Sequence, residues 1–98
     1  MNNKTNFYIN GKWVKPLKEN TFQVINPCTE ESFATISLGT KADLDLAVSA
    51  ARNAFETWAF SDVQDRISLV TKFVELYENR SSEMGEAISM EMGAPMKL

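Results

Sequence analysis

Between residues 7 and 38 the apolar positions alternate with polar ones in short runs, and from residue 44 onward they recur every three or four. A period of two belongs to a strand with one covered face, and a period near 3.6 to an amphipathic helix. Phe7-Tyr8-Ile9 and Lys12-Trp13-Val14 flank Asn10-Gly11. Asn and Gly accept the positive φ that a type I′ turn requires, so the pattern predicts a β-hairpin with Tyr8 opposite Trp13. Pro16 ends its second strand. Thr21–Ile25 reads as a further strand, stopped by Asn26-Pro27 because a residue before proline is pushed out of the helical region. Residues 33–38 read as another, with Ala34, Ile36 and Leu38 on one face and Gly39 closing it.

The change of period falls at Thr40-Lys41-Ala42-Asp43, which has the spacing of a capping box. Behind it Leu44, Ala47, Val48, Ala51, Phe55 and Trp58 form one apolar stripe over nearly four turns. Ser61-Asp62-Val63-Gln64 reads as a second capping box. It opens a helix with Ile67, Val70, Phe73, Val74 and Tyr77 on one side, widened by Leu69 and Leu76. A third helix is expected from Ser81 or Ser82, carrying Met84, Ala87, Ile88 and Met92 and ended by Gly93 and Pro95. The fold class is therefore α/β: an N-terminal β-hairpin and short strands, then three amphipathic helices. Those helices offer more apolar face than the few short strands can cover, so the chain reads as the beginning of something larger.

Composition removes whole classes of chemistry. The 98 residues contain no His, which excludes an imidazole base, a Ser-His or Cys-His pair and a His metal ligand. One Cys, Cys28, excludes a disulfide framework and a thiolate zinc site. Ten basic against thirteen acidic side chains give a net charge of −3, so neither nucleic acid nor an anionic membrane is an expected partner. The apolar runs fall far short of the ~20 residues that span a bilayer, and the opening residues lead into no hydrophobic signal segment. A soluble, cytoplasmic chain is expected.

Several residues invite a chemical role. Cys28 follows Asn26-Pro27 in a turn, with Glu30 and Glu31 as neighbours. Carboxylates are the wrong company for a nucleophilic thiolate, so Cys28 reads as structural. Trp13, Trp58, Phe55, Phe73 and Tyr77 are expected in the core rather than on a base-stacking face. Met84, Met90, Met92 and Met96 are expected to pack. The acidic pairs Asp43/Asp45 and Glu30/Glu31 read as a cap and a solvated face. Glu91 stands i+3 from Ile88, i+4 from Ala87 and i+7 from Met84. It thus lies on the apolar stripe, where a carboxylate is costly unless paired or coordinated.

Five of these pieces stand together in a known order. Ile9-Asn10-Gly11-Lys12-Trp13, then Val24-Ile25-Asn26-Pro27 with Thr29-Glu30-Glu31, resemble the start of NAD(P)-dependent aldehyde dehydrogenases. So do Ala42-Asp43-Leu44-Asp45-Leu46-Ala47-Val48 running into Ala50-Ala51-Arg52, Ala54-Phe55 and Trp58, then Asp65-Arg66 with Leu69, and Glu91-Met92-Gly93-Ala94-Pro95. No single piece is specific, but five in register over residues 7–95 are. The resemblance implies an oligomeric enzyme about five times this length, with a Rossmann-like cofactor domain and a catalytic domain. In that family a Cys thiolate attacks the aldehyde, hydride passes to the nicotinamide, and a Glu-activated water hydrolyses the thioester.

On this resemblance residues 1–98 are the N-terminal part of the cofactor domain, and the remainder of the chain or its subunits are the partners. NAD or NADP is the cofactor of the full-length family. This stretch holds no catalytic and no cofactor-binding residue, since the nucleophilic Cys, the base Glu and the glycine-rich turn fall at later positions of the family pattern. A family acid at the position of Glu91, with the backbone carbonyls of Val24 and Ile25, implies a K+ or Na+ site. The other reading of Glu91 is a boundary side chain reaching solvent or Lys97. A reading from a different class also stands: a separate binding module, or one half of a split enzyme, that recruits its partner through exposed apolar helix faces.

Overall fold

The computed structural model describes residues 2–97. The hairpin forms as its turn chemistry dictates. Strands β2 (Phe7–Ile9) and β3 (Lys12–Val14) pair antiparallel with Tyr8 opposite Trp13. Asn10 and Gly11 hold φ of 53° and 75°, and the two rings meet edge to face at 5.1 Å. This pair makes a sheet of its own.

A second sheet has the order β1-β5-β4. Strand β4 (Thr21–Ile25) runs antiparallel to β5 (Ser32–Ser37). The six residues 26–31 between them form a tight turn closed by Asn26 N–H to Glu31 O at 2.9 Å and Glu30 N–H to Asn26 O at 2.8 Å. On the far side of β5 lies β1 (Asn2–Lys4), parallel to it. The hydrophobic pattern does not reveal β1, because Asn2-Asn3-Lys4 has no apolar alternation and an edge strand needs only its backbone to pair. Strand β5 ends at Ser37; Leu38 beyond it still donates its N–H to Asn20 O at 2.7 Å, but its side chain is exposed. Ala34, on the central strand, is the buried apolar residue among those described.

Three helices follow: α1 (Lys41–Trp58), α2 (Val63–Asn79) and α3 (Ser81–Met92). The capping box at Thr40 and Asp43 is present on both sides. The second expected box is not. Asp62, not Ser61, caps α2 and accepts from the Gln64 N–H at 3.3 Å. The Ser61 hydroxyl instead donates to Trp58 O at 2.6 Å, so Ser61 serves the end of α1. Gly93 caps α3 in the left-handed region, φ 73°.

The two positive-φ glycines give a matched prediction. A Cβ on Gly11 would meet nothing within 4 Å, whereas one on Gly93 would lie 3.2 Å from Pro27 Cγ. Gly11→Ala should therefore carry only the backbone penalty of about 1 kcal/mol, and Gly93→Ala that penalty plus a clash with the Asn-Pro turn. Amide hydrogen exchange in the hairpin and in α3 measures the two losses. Equal losses would contradict the close approach.

Strand β2 of the hairpin lies beside α1, with a gap between them lined by Ala47, Ala50, Ala51 and Ala54, of which Ala51 and Ala54 are exposed. The bulky side of that helix, with Leu44, Val48, Phe55 and Trp58, stays exposed. The chain measures 48 × 37 × 15 Å with a radius of gyration of 17.1 Å, against about 13 Å for a compact domain of this length. A plate 15 Å thick has room for barely more than one layer. The expectation that Trp13, Trp58, Phe55, Phe73 and Tyr77 form a core is accordingly overturned for the described residues, for all five are exposed. Arg52 sits over the Phe55 ring at 5.4 Å and Tyr8 meets Trp13, but no second layer covers these faces among the described residues.

Candidate functional site

Gly93 sets the geometry of the candidate site. With no Cβ it lets the end of α3 settle against Pro27 and Cys28, which brings the last turn of α3 to the end of β4. Between sheet and helix opens a cleft of about 990 Å³, lined among others by Lys4, Val24, Ala34, Glu86 and Glu91. Two of the three residues implied as cation ligands, Val24 and Glu91, thus face one space. Ile25 lies on the other side of a register shift that separates it from Val24 in the β4–β5 ladder. A bulge of this kind takes backbone groups out of regular pairing and re-aims them.

The electrostatic setting of Glu91 differs from the one its stripe position suggested. Glu91 is exposed, so in this chain its carboxylate does not bear the desolvation penalty of a buried charge. Among the described residues no ion pair joins it to Lys97; the pairs present are Lys41–Asp45, Lys72–Glu75 and Arg80–Glu83. Nor do the described residues hold a group of three or more His, Cys, Asp or Glu able to bind a metal. Any ion here would rely on one carboxylate and neutral carbonyls, hard oxygens that suit a monovalent cation and hold it weakly.

Cys28 is a free, exposed thiol inside the turn. Its N–H donates to Asn26 Oδ1 at 2.9 Å, and its Sγ lies against the end of α3 beside Gly93. The contacts are those of a turn residue. The expectation that the methionines pack is overturned for the described residues: Met84, Met90, Met92 and Met96 are all exposed, Met84 at the rim of a groove of about 430 Å³ between α2 and α3 with Phe73, Leu76 and Tyr77. The acidic pair Asp43/Asp45 is a cap and a solvated ion pair, Asp45 meeting Lys41 at 2.8 Å.

Asp43 holds more than its own helix. Its Oδ2 accepts the Thr40 N–H at 2.9 Å and the Thr40 hydroxyl at 3.0 Å, and its Oδ1 accepts the Leu17 N–H at 3.0 Å from beyond the hairpin. It is the buried charged residue among those described. The N–H groups of Thr40 and of Leu17 keep its carboxyl below the ordinary value of 3.8, outweighing the opposite effect of burial. Nothing local in the sequence signals the bond to Leu17, which spans 26 positions. The same carboxylate bears on cofactor binding. The step from β5 through Gly39 into α1 is a strand–turn–helix junction, where a phosphate could sit on free N–H groups. Here Asp43 occupies that N-terminus with a negative charge, so this junction does not suit a phosphate.

No helix among the described residues is long and apolar enough to cross a membrane. This fold recurs in known proteins. A family model described as the aldehyde dehydrogenase family matches residues 13–98. A crystal structure of an aldehyde dehydrogenase from Bartonella henselae superimposes with a TM-score of 0.96 at 49% identity, covering 99% of this chain and 20% of that one. An aldehyde dehydrogenase C variant from Pseudomonas syringae, in complex with NAD+ and octanal, gives 0.91 at 41% identity over 94% of this chain and 19% of its own. A Staphylococcus aureus protein (strain bovine RF122 / ET3-1) assigned to the aldehyde dehydrogenases is 44% identical over all 98 residues, which are 21% of its length. The chain belongs to the aldehyde dehydrogenase family. It spans about a fifth of the length of the relatives it matches.

Proposed function

We propose that this chain is the N-terminal part of the cofactor-binding domain of an NAD(P)+-dependent aldehyde dehydrogenase, a cytoplasmic oligomer that oxidises an aldehyde to a carboxylic acid. Supporting the reading is one observation: strands, turn and three helices all superimpose on the corresponding fifth of the Bartonella henselae enzyme. NAD is the cofactor named with the Pseudomonas syringae relative. The nucleophile, the base and the dinucleotide site are assigned to the other four-fifths, since the one thiol here belongs to a turn and the one strand-to-helix junction carries Asp43. The contribution of this segment is structural, laying helices and a hairpin over the domain that binds cofactor. Aldehyde-dependent NADH formation tests it: none is expected from the chain alone, and turnover is expected once the remaining segment of a relative is supplied. Turnover by the chain alone would refute the assignment.

Glu91, with the carbonyl oxygens of Val24 and Ile25, holds a K+ or Na+ ion in the intact enzyme. Support comes from the shared cleft of Val24 and Glu91 and the ladder irregularity beside Ile25. Saturating potassium or sodium should raise the melting temperature of an intact enzyme carrying this segment by about 2–4 °C. Glu91→Ala should cancel the rise. A variant that keeps the full salt response would remove Glu91 from the site.

A further inference from the structure

Asn10 and Gly11 stand at the tip of the hairpin, and both are exposed. Among the described residues no hydrogen bond holds the Asn10 carboxamide, and a Cβ on Gly11 would meet nothing within 4 Å. A carboxamide followed by an unshielded glycine N–H can close a five-membered imide, because glycine has no side chain to obstruct the approach of its nitrogen. The formed turn prevents this. Positive φ at both positions, 53° and 75°, marks type I′, whose first central residue has a ψ of about +30°. That rotation sets the Gly11 nitrogen almost opposite the Cβ of Asn10, so the reacting atoms meet only when the turn opens. Opening is within easy reach. Strands β2 and β3 have three residues each and make a sheet of their own, and an isolated pair of strands is marginal in water.

We infer that Asn10 is a site of spontaneous deamidation gated by opening of the hairpin, and that its isoaspartyl product latches the hairpin open. In the open chain hydroxide takes the Gly11 N–H proton and the nitrogen attacks Cγ of Asn10. The N–Cγ bond forms, the Cγ–Nδ2 bond breaks, and ammonia departs with a proton from water. A second water then opens the imide. Cleavage between the Gly11 nitrogen and Cγ leaves Asp, which accepts the same turn. Cleavage between that nitrogen and the backbone carbonyl carbon leaves isoaspartate. Its main chain has gained the former side-chain CH2, so a two-residue loop no longer fits the register that pairs Tyr8 with Trp13.

The test incubates the 98-residue chain at mildly alkaline pH and follows tryptic peptide 5–12 by mass spectrometry, with isoaspartyl methyltransferase to separate the two products. Asn10 in the chain should convert about tenfold or more slowly than in a synthetic peptide of the same sequence. Trp13→Ala deletes the cross-strand ring contact without touching Asn10-Gly11, and should speed conversion about threefold. In urea the wild type and the variant should convert at one rate. In the isoaspartyl form the ring-current shifts between Tyr8 and Trp13 should vanish. No conversion at Asn10 while the synthetic peptide reacts to completion would overturn the site. Conversion of the chain as fast as the peptide, an unchanged rate in Trp13→Ala, or a difference that persists in urea would each overturn the gate. An isoaspartyl form that keeps the ring-current shifts would overturn the latch.

Discussion

Replacing Asp43 with alanine should release the hairpin from α1. One carboxylate accepts N–H groups from Thr40 and from Leu17, and the second of these ties the segment leaving β3 to the start of α1. Beside that bond, the hairpin meets the helix through β2, and the alanines lining the gap there, Ala51 and Ala54 exposed among them, bury little area. Amide exchange at Leu17 and Thr40 should accelerate by about tenfold or more in Asp43→Ala, as expected for loss of a cap that also bridges two elements. Asp43→Asn, which keeps one carbonyl acceptor, should lose less. Retention of wild-type protection in the alanine variant would show that the tether lies elsewhere.

The same site fixes the direction of a pH effect. The folded-state pKa of Asp43 is depressed, so its contribution is fully present above the ordinary carboxylate value of 3.8 and is lost as the pH falls through the lower folded value. The Leu17 and Thr40 amide resonances should titrate together with a midpoint below 3.8. A shared midpoint above that value would contradict the bonding described.

How far the sequence discloses this structure depends on whether the signal is local. Asn10-Gly11 specifies the hairpin and even the Tyr8–Trp13 pairing, because a type I′ turn leaves one register. Thr40 and Asp43 specify the start of α1, and Gly93 the end of α3, for the same reason. Ser61 and Asp62 are both good caps. Only the carbonyl of Trp58, which engages the Ser61 hydroxyl, decides between them. Strand β1 escapes a reading of apolar pattern because its pairing is made by backbone alone. The candidate cation site was legible through family resemblance rather than through its own residues. No local pattern brings Glu91 to Val24, and the register shift beside Ile25 has no sequence signature. Periodicity also identified the helix faces correctly while misplacing them in a core, since an apolar stripe states what wants covering and not what covers it.

The uncovered faces carry the largest expected effect, and calorimetry of the purified chain in the presence of a hydrophobic dye measures it most directly. A compact domain of 98 residues melts with an enthalpy near 70 kcal/mol in one cooperative step. This chain exposes 8276 Å², against ~5600 Å² for a compact monomer of its mass, and on its own should bind the dye before heating. It should then melt broadly, with an enthalpy well below that figure. A sharp two-state transition at full enthalpy, from a monomer that ignores the dye, would contradict the claim that these helices are built to lie beneath another layer.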